Sequence, residues 1–487
     1  MDCIKKLFTV LLIISLLISC FGCNSNGGDN SKNESAPAVS NSDSSVADLS
    51  EAEYGKDNLP KKDFEGRDFT ILQRTEYKYE FGTDESFSDT VNELIKERNT
   101  RVEERFNVKI KTIDLYGNWG VHEDFISYVR NTVNGGDTEY DLIAGYAAIM
   151  PSAIADGLFL NWKEIPHVDL KADWWAQDFI DQMTLNDKLY LLTGDISLTF
   201  WDSMQGIFFN KKLAENYNLG NLYDKVRNNE WTFDAMNEMC KDTYLHDENL
   251  DSRVYSYATA KTTQVDVYQD AFNIPVTEKN AEGKPYFTIN QKKTYDALEK
   301  VFDLTVDKNY TYLVTDVKDS VKMFGVGRSL FAPLCFSDGS ILRTYDMDYG
   351  ILPMPKYNSL QEKYNSTCCD YYSVFAVPFT RATDAEFIGI ITEGLCAESY
   401  RSVVPKYYTT ILKLRYTKDE DSIEMMDTIR EGILCNFGYL YSYTLEWPAH
   451  QFNICINEKN TNFASNWAAK EDLFNTNLEK TLDFYFE

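Results

Sequence analysis

Histidine is scarce. Four residues, His122, His167, His246 and His450, lie far apart in a chain of 487. Beyond Cys23 there are seven cysteines, Cys240, Cys335, Cys368, Cys369, Cys396, Cys435 and Cys455, with no Cys-x-x-Cys pair among them. Zinc needs clustered His and Cys ligands, so this spacing argues against a metal site. The count is odd and the spacing sparse, so no disulfide framework is legible either. Most of the seven read as buried small apolar residues. Cys368 and Cys369 are the one close pair, and neighbours in a strand point to opposite faces. Positive charge is also short. Lys+Arg total 48 against 76 Asp+Glu, a formal net charge of -28. Nucleic acid and anionic membrane surfaces both require a basic footprint, so neither is an expected partner. The acidic balance otherwise reports solubility.

Catalytic signatures are missing too. Gly325–Ser329 has the wrong order for a nucleophile elbow and is not followed by the Gly-Lys-Ser/Thr of a phosphate loop. The segment around Asp247 and Asp251 lacks the glycine and terminal glutamate of a calcium loop. Asp346–Asp348 reads as a solvated turn. A glycosidase carboxylate pair is defined by spatial separation, so sequence alone singles none out. Tandem repeats, and with them a solenoid, are absent.

The N-terminus carries a positive signal. Lys5 and Lys6 precede the apolar run Leu7–Ile18, which is too short to span a bilayer and reads as a signal peptide. The following "LLISCFGCNSNGG" resembles a bacterial lipoprotein signal. Leu17-Ile18-Ser19-Cys20 fits that pattern best, and Cys20-Phe21-Gly22-Cys23 is the rival, so the acylated residue is Cys20 or Cys23. Acyl chains there would anchor the protein without a spanning helix. From Asn24 to about residue 60 the chain is Ser-, Asn-, Asp- and Ala-rich and reads as a disordered tether.

In the body, strands alternate with helices. Asp68–Gln73, Val108–Leu115 and Tyr140–Tyr146 read as strands. Between them lie amphipathic stretches, the first with Val91, Leu94, Ile95, Val102 and Phe106 on one face, the second stopping at Gly135-Gly136. Trp231-Thr232 begins a further helix, and Tyr371–Thr380 is a returning strand followed by a long apolar-faced helix. This alternation predicts an α/β class.

Several stretches in order are similar to the carbohydrate-type, maltose-binding-protein-like solute-binding lipoproteins of ABC importers. They are "ERNTRVEERFNVKI", "YDLIAGYAAIMPSAIADGLFLNW", "MQGIFFNKKLAENYNL", "NEWTFDAM", "GRSLFAPL", "DYGILPMPKYN" and "SVFAVPFTRATDAEFIGIITEGL". The tail from Ala397 to Glu487 departs from the family pattern, and nothing is carried over there. The resemblance implies a two-lobed, type II periplasmic-binding-protein-like fold with crossing hinge strands. Its expected parts are a signal and anchor over 1–23, a tether over 24–60, a first lobe from 61–204 and 371–487 with a C-terminal helical extension, and a second lobe from 205–370. It further implies a non-enzymatic monomer without a cofactor, lipid-anchored on the extracellular face of the membrane. Such a protein captures a small molecule, a carbohydrate by this resemblance, and delivers it to ABC permease subunits. A surface-anchored carbohydrate-active hydrolase is the alternative.

Sugar sites set aromatic faces against the ring and carboxylates against the hydroxyls. Tyr77 and Tyr146 lie just past strand ends, where open α/β sheets bind ligands. Trp174 and Trp175 lie in a loop. Asp195, Trp201 and Asp202 interrupt the two apolar segments of "YLLTGDISLTFWDSMQGIFFNKK", which the two-lobe reading makes a crossover at the cleft floor. Tyr372 and Asp370 begin the returning strand as weaker candidates. Arg74 is the one arginine expected in the cleft. On this reading, replacing Trp175 or Trp201 by Ala weakens binding without unfolding the protein.

Overall fold

The computed structural model describes residues 56–82, 89–244, 247–249, 252–409 and 419–486. The expected signal peptide, Cys20, Cys23 and the tether as far as residue 55 lie outside the described residues. No helix among the described residues is long and apolar enough to cross a membrane.

The first lobe is built on strands β1 (Arg67–Arg74), β2 (Val108–Leu115) and β3 (Leu142–Tyr146). Helix α1 (Asp89–Phe106) joins β1 to β2, and α2 (His122–Asn134) joins β2 to β3. The α1 residues spaced for one face, Val91, Leu94, Ile95, Val102 and Phe106, are all buried. Helix α2 stops at Gly135, and Gly136 follows at φ +79, a conformation a side chain would strain. β1 pairs in parallel with both neighbours, Arg67 opposite Val108 and Ile71 opposite Leu142. Parallel pairing brings the carboxyl ends Arg74, Leu115 and Tyr146 to one edge of the sheet.

A short helix α3 (Leu198–Asp202) precedes β4 (Gln205–Asn210), which opens a second sheet. Helix α4 (Phe233–Thr243) starts as its Trp-Thr step predicts: the Thr232 side chain accepts from Ala235 N. Next come β5 (Tyr255–Ala260), α5 (Thr263–Ala271), β6 (Thr311–Val314), β7 (Ser329–Cys335) and β8 (Tyr349–Leu352). The sheet order is β8-β4-β7-β5-β6. β5 is parallel to β6 and β7, while β4 runs antiparallel to β7 and β8. The chain then returns as β9 (Ser373–Ala376), antiparallel to β3 with Ser373 opposite Tyr146. This completes the first sheet, in the order β9-β3-β1-β2.

Three stretches run side by side where the chain passes between sheets. Phe336 N donates to Met204 O at 3.0 Å, Ser337 N to Asp202 O at 3.0 Å, and Cys369 N to Ser203 O at 2.8 Å. These crossings join the two lobes.

Helix α6 (Ala385–Glu398) follows β9 and is buried from Phe387 onward. Helices α7 (Glu420–Glu431) and α8 (Gln451–Asn457) belong to the tail. α7 packs on β8, with Ile351 N donating to Ser422 Oγ at 3.1 Å. Phe452, Phe463, Trp467 and Phe474 join the second-sheet core, while Tyr407, Phe437, Tyr441 and Leu445, with Leu478 and Tyr485 at the far end, pack into the core that holds the first sheet. The tail thus divides its apolar contacts between the two cores. The reason is physical: α5 is buried from Gln264 to Ala271, and the tail helix α8 packs against it with its apolar residues in the same core.

Candidate functional site

The carboxyl edge of the first sheet is aromatic. β1 delivers Arg74, and the next turn has a backbone kink at Tyr77. The Tyr77 ring stacks on Tyr371 with centroids 5.8 Å apart and an interplanar angle of 14°. Tyr146, at the end of β3, donates from its hydroxyl to Asp370 Oδ1 at 3.3 Å. Arg74 lies between them, with its guanidinium carbon 4.4 Å from the Tyr77 ring centre and 5.2 Å from that of Tyr146. From sequence Arg74 is a cleft arginine; in the fold it is 1% exposed. Its Nη atoms donate to Tyr371 O at 2.6 Å, Ser373 Oγ at 3.2 Å and Asn118 Oδ1 at 3.0 Å. It therefore positions the tyrosines and is not free to bind an anion.

A second aromatic group bridges the lobes. Trp119, in the loop after β2, stacks on His122 at 4.8 Å. It meets Trp447 edge-on at 5.5 Å and Tyr443 at 6.4 Å, both from the tail. Tyr443 also donates to the Glu123 carboxylate on α2. On the other side, His450 Nδ1 lies 2.6 Å from Asp266 Oδ2 on α5, and Gln269 Nε2 donates to Ala449 O at 2.9 Å. Asp266 also accepts from Gln269 at 3.3 Å and contacts Asn453 Nδ2 at 2.5 Å. The tail is thus fixed to the second lobe while its tip touches the first. Glu446 and Trp447 hold φ values of +66 and +73. A bulky residue in the left-handed region is costly and is kept where the surroundings over-determine it, which happens most at binding sites.

The charges of the two groups act on one another. Burial lowers the His450 pKa, but the Asp266 carboxylate, with a smaller pull from Asp370, raises it on balance. Asp370 is raised by burial, while His450, the Tyr146 hydroxyl and Arg74 oppose the rise. Asp370, Asp266, His450, Tyr146 and Arg74 therefore form one electrostatic neighbourhood between the sheets. It combines acceptors, an imidazole and aromatic faces, a set that suits polyhydroxylated solutes.

The other residues singled out from sequence are elsewhere. Trp174 and Trp175 are 6% and 2% exposed, inside the first lobe. Trp175 Nε1 donates to Glu393 Oε2 on α6 at 3.0 Å. Backbone bridging places Trp175 against Gly194, where a Cβ would stand 2.3 Å from Trp174 O. The Thr-Gly-Asp step thus runs along this buried indole pair, which is why it holds glycine. Asp202 accepts from Tyr79 at 2.9 Å and Tyr407 at 2.6 Å. Trp201 meets Tyr408 at 5.4 Å, with the Arg430 guanidinium 4.9 Å from its ring centre. Asp195 is 8% exposed and lies within reach of the Arg430 charge and the Trp201 indole. Tyr372 is buried edge-on against Phe200 at 5.2 Å. Only Tyr77 and Tyr146 share the carboxyl edge, and the aromatic chain Tyr371, Tyr77, Tyr79 connects them to Asp202.

These buried carboxyls give a pH prediction. Burial pushes Asp195 up to about 8 against Arg430 and Trp201, and Asp202 to about 6 against Tyr407 and Tyr79. Both values exceed the unfolded value near 4, so folding takes up protons between them. Their stabilising contribution is complete below about pH 4 and is lost as pH rises through 6 and then 8. Asp57, Glu398 and Asp419 are held low and stay ionised over this range. Urea unfolding from about pH 5 to about pH 8.5 should therefore give a falling unfolding free energy, with Asp195→Asn flattening the upper half. A rise with pH would contradict this burial.

Trp119 was accessible to the rule that picked Tyr77 and Tyr146, since it too follows a strand of the parallel sheet. Trp447, Tyr443 and His450 had no such signal. They sit in the tail that departs from the family pattern, and only the fold brings them to the strand ends.

No protein-family model matches the chain, and no curated protein matches it. Solved structures do. An ABC substrate-binding protein of Listeria monocytogenes, in complex with cycloalternan, superposes with a TM-score of 0.55 at 11% identity, covering 85% of this chain and 99% of its own. The maltose-maltodextrin binding protein of Alicyclobacillus acidocaldarius gives 0.53 at 12% identity, over 85% and 100%. UgpB of Mycobacterium tuberculosis, in complex with glycerophosphocholine, gives 0.56 at 12%, over 86% and 99%. With two α/β lobes, crossing hinge strands and these neighbours, the chain has the type II periplasmic-binding-protein fold.

Proposed function

We propose that this protein is an extracellular solute-binding protein that closes its two lobes on an oligosaccharide and hands it to the permease subunits of an ABC importer. The observation that carries this reading is the meeting of aromatic faces and carboxylates from both lobes at the strand ends. In the proposed site, Tyr77, Tyr371, Trp119 and Trp447 offer faces to sugar rings, while Asp370 and His450 bond hydroxyls and the buried Asp266 holds His450 in place. Tyr146 holds Asp370 in place. Trp174, Trp175, Asp195, Trp201, Asp202 and Tyr372 support the walls from behind. The ligand named for one neighbour, cycloalternan, agrees with a polyhydroxylated solute. Closure is a hinge motion at the crossings. We further propose that the chain is a monomer, lipid-anchored through Cys20 or Cys23, with 61–204 and the chain from 371 forming the first lobe and 205–370 the second, the tail lying over both.

The test is a thermal-shift and calorimetric panel of mono- and oligosaccharides on the purified protein. A ligand at about 100 times its dissociation constant stabilises the fold by about 2.7 kcal/mol. At least one oligosaccharide is expected to bind saturably and emerge unchanged. Hits confined to peptides or amino acids would overturn the sugar assignment, and turnover of a glycan would overturn the binding role itself.

A further inference from the structure

Two thiols meet at the crossing between the lobes. Cys335 is the last residue of β7, and Cys369 lies in the chain returning to the first lobe. Their sulfurs are 3.1 Å apart, and the residues are 9% and 6% exposed. The neighbouring Cys368 turns the other way, with its sulfur 3.5 Å from Phe200 O. Elsewhere Cys396 contacts Trp174 O and Cys240 contacts Ser256 O. The backbone on both sides is already fixed. Gln205 pairs with Cys335 across β4 and β7, and Cys369 N donates to Ser203 O.

We propose that Cys335 and Cys369 form a disulfide that staples the returning crossover to the second sheet. A disulfide needs its sulfurs at about 2.05 Å, so they must approach by about 1 Å. The reaction breaks two S–H bonds and forms one S–S bond. Two electrons and two protons pass to an oxidant of the disulfide class, such as oxidised glutathione, which leaves as two thiols. The exchange takes place during folding, before the thiols are enclosed. The bond closes a loop across 34 positions. It confines hinge bending to the first-lobe side of Cys369 and does not depend on which ligand binds.

The test is peptide mapping of the full chain, folded with oxidised glutathione and alkylated in denaturant without reductant. One cross-linked species joining the Cys335 and Cys369 peptides is expected, vanishing on reduction. Cys368→Ser should keep it, and Cys369→Ser should lose it. Reduction should also lower the urea midpoint of the wild type and of Cys368→Ser, and leave Cys369→Ser unmoved. Full alkylation of both Cys335 and Cys369 in the wild type, or a link from Cys335 to Cys368, would overturn the proposal without touching the ligand assignment.

Discussion

Trp119→Ala is expected to weaken oligosaccharide binding by about seventyfold and to leave the urea midpoint of the free protein almost unchanged. Trp119 is 51% exposed, so a ligand that covers it removes roughly 100 Å² of apolar surface from water. At about 25 cal/mol per Å² this is roughly 2.5 kcal/mol, or about seventyfold in the dissociation constant. The ring touches His122, Tyr443 and Trp447 only at its edges and one face, so the folded body loses little by its removal. Calorimetry on both variants, with the best ligand of the panel, measures the difference. A change below about twofold would remove Trp119 from the site.

The second large effect is opposite in kind. Trp175→Ala should cost about 3–5 kcal/mol of stability, because a buried indole leaves a cavity that its neighbours cannot fill. Trp175 is 2% exposed, with Trp162 6.5 Å away and Glu393 accepting its N–H. Removing that donor also takes one hydrogen bond from Glu393, which burial already pushes up to about 7. The urea midpoint should fall with little change in slope. Ligand affinity, measured on the protein that remains folded, should change less than in Trp119→Ala. If Trp175→Ala kept its midpoint and lost binding, the residue would face the ligand after all. The two tryptophans therefore separate a cleft face from a core plug, a distinction that residue type and loop position do not make.

Several elements were legible because each is decided locally. The α1 face repeats at helical spacing, β2 begins and ends as its pattern predicts, and Thr232 caps α4 as its position suggests. The two-lobe fold was implied by the resemblance of ordered stretches to a known family. Tyr77 and Tyr146 were legible as edge residues because parallel strands must end together. The crossover was legible too: Met204 and Gln205 are where the chain changes sheets.

The role of each aromatic was not. A tryptophan in a loop has the same chemistry whether it plugs a core or lines a cleft. Burial against α6 assigns Trp175 to the first case, and the exposure of Trp119 is what the proposed site draws on. Asp195 and Asp202 lie beside the crossover as the sequence implies, yet tyrosines and an arginine from the tail enclose them. From local periodicity and strand direction the sequence determined the α/β class and the edge on which a ligand is expected, while the two lobes came from the resemblance of ordered stretches to a known family. The tertiary structure alone decided which rings lie at that edge, which thiol of the adjacent pair meets Cys335, and that residues of the tail reach Trp119 and Asp266. Those contacts join residues far apart in the chain, and no local pattern encodes them.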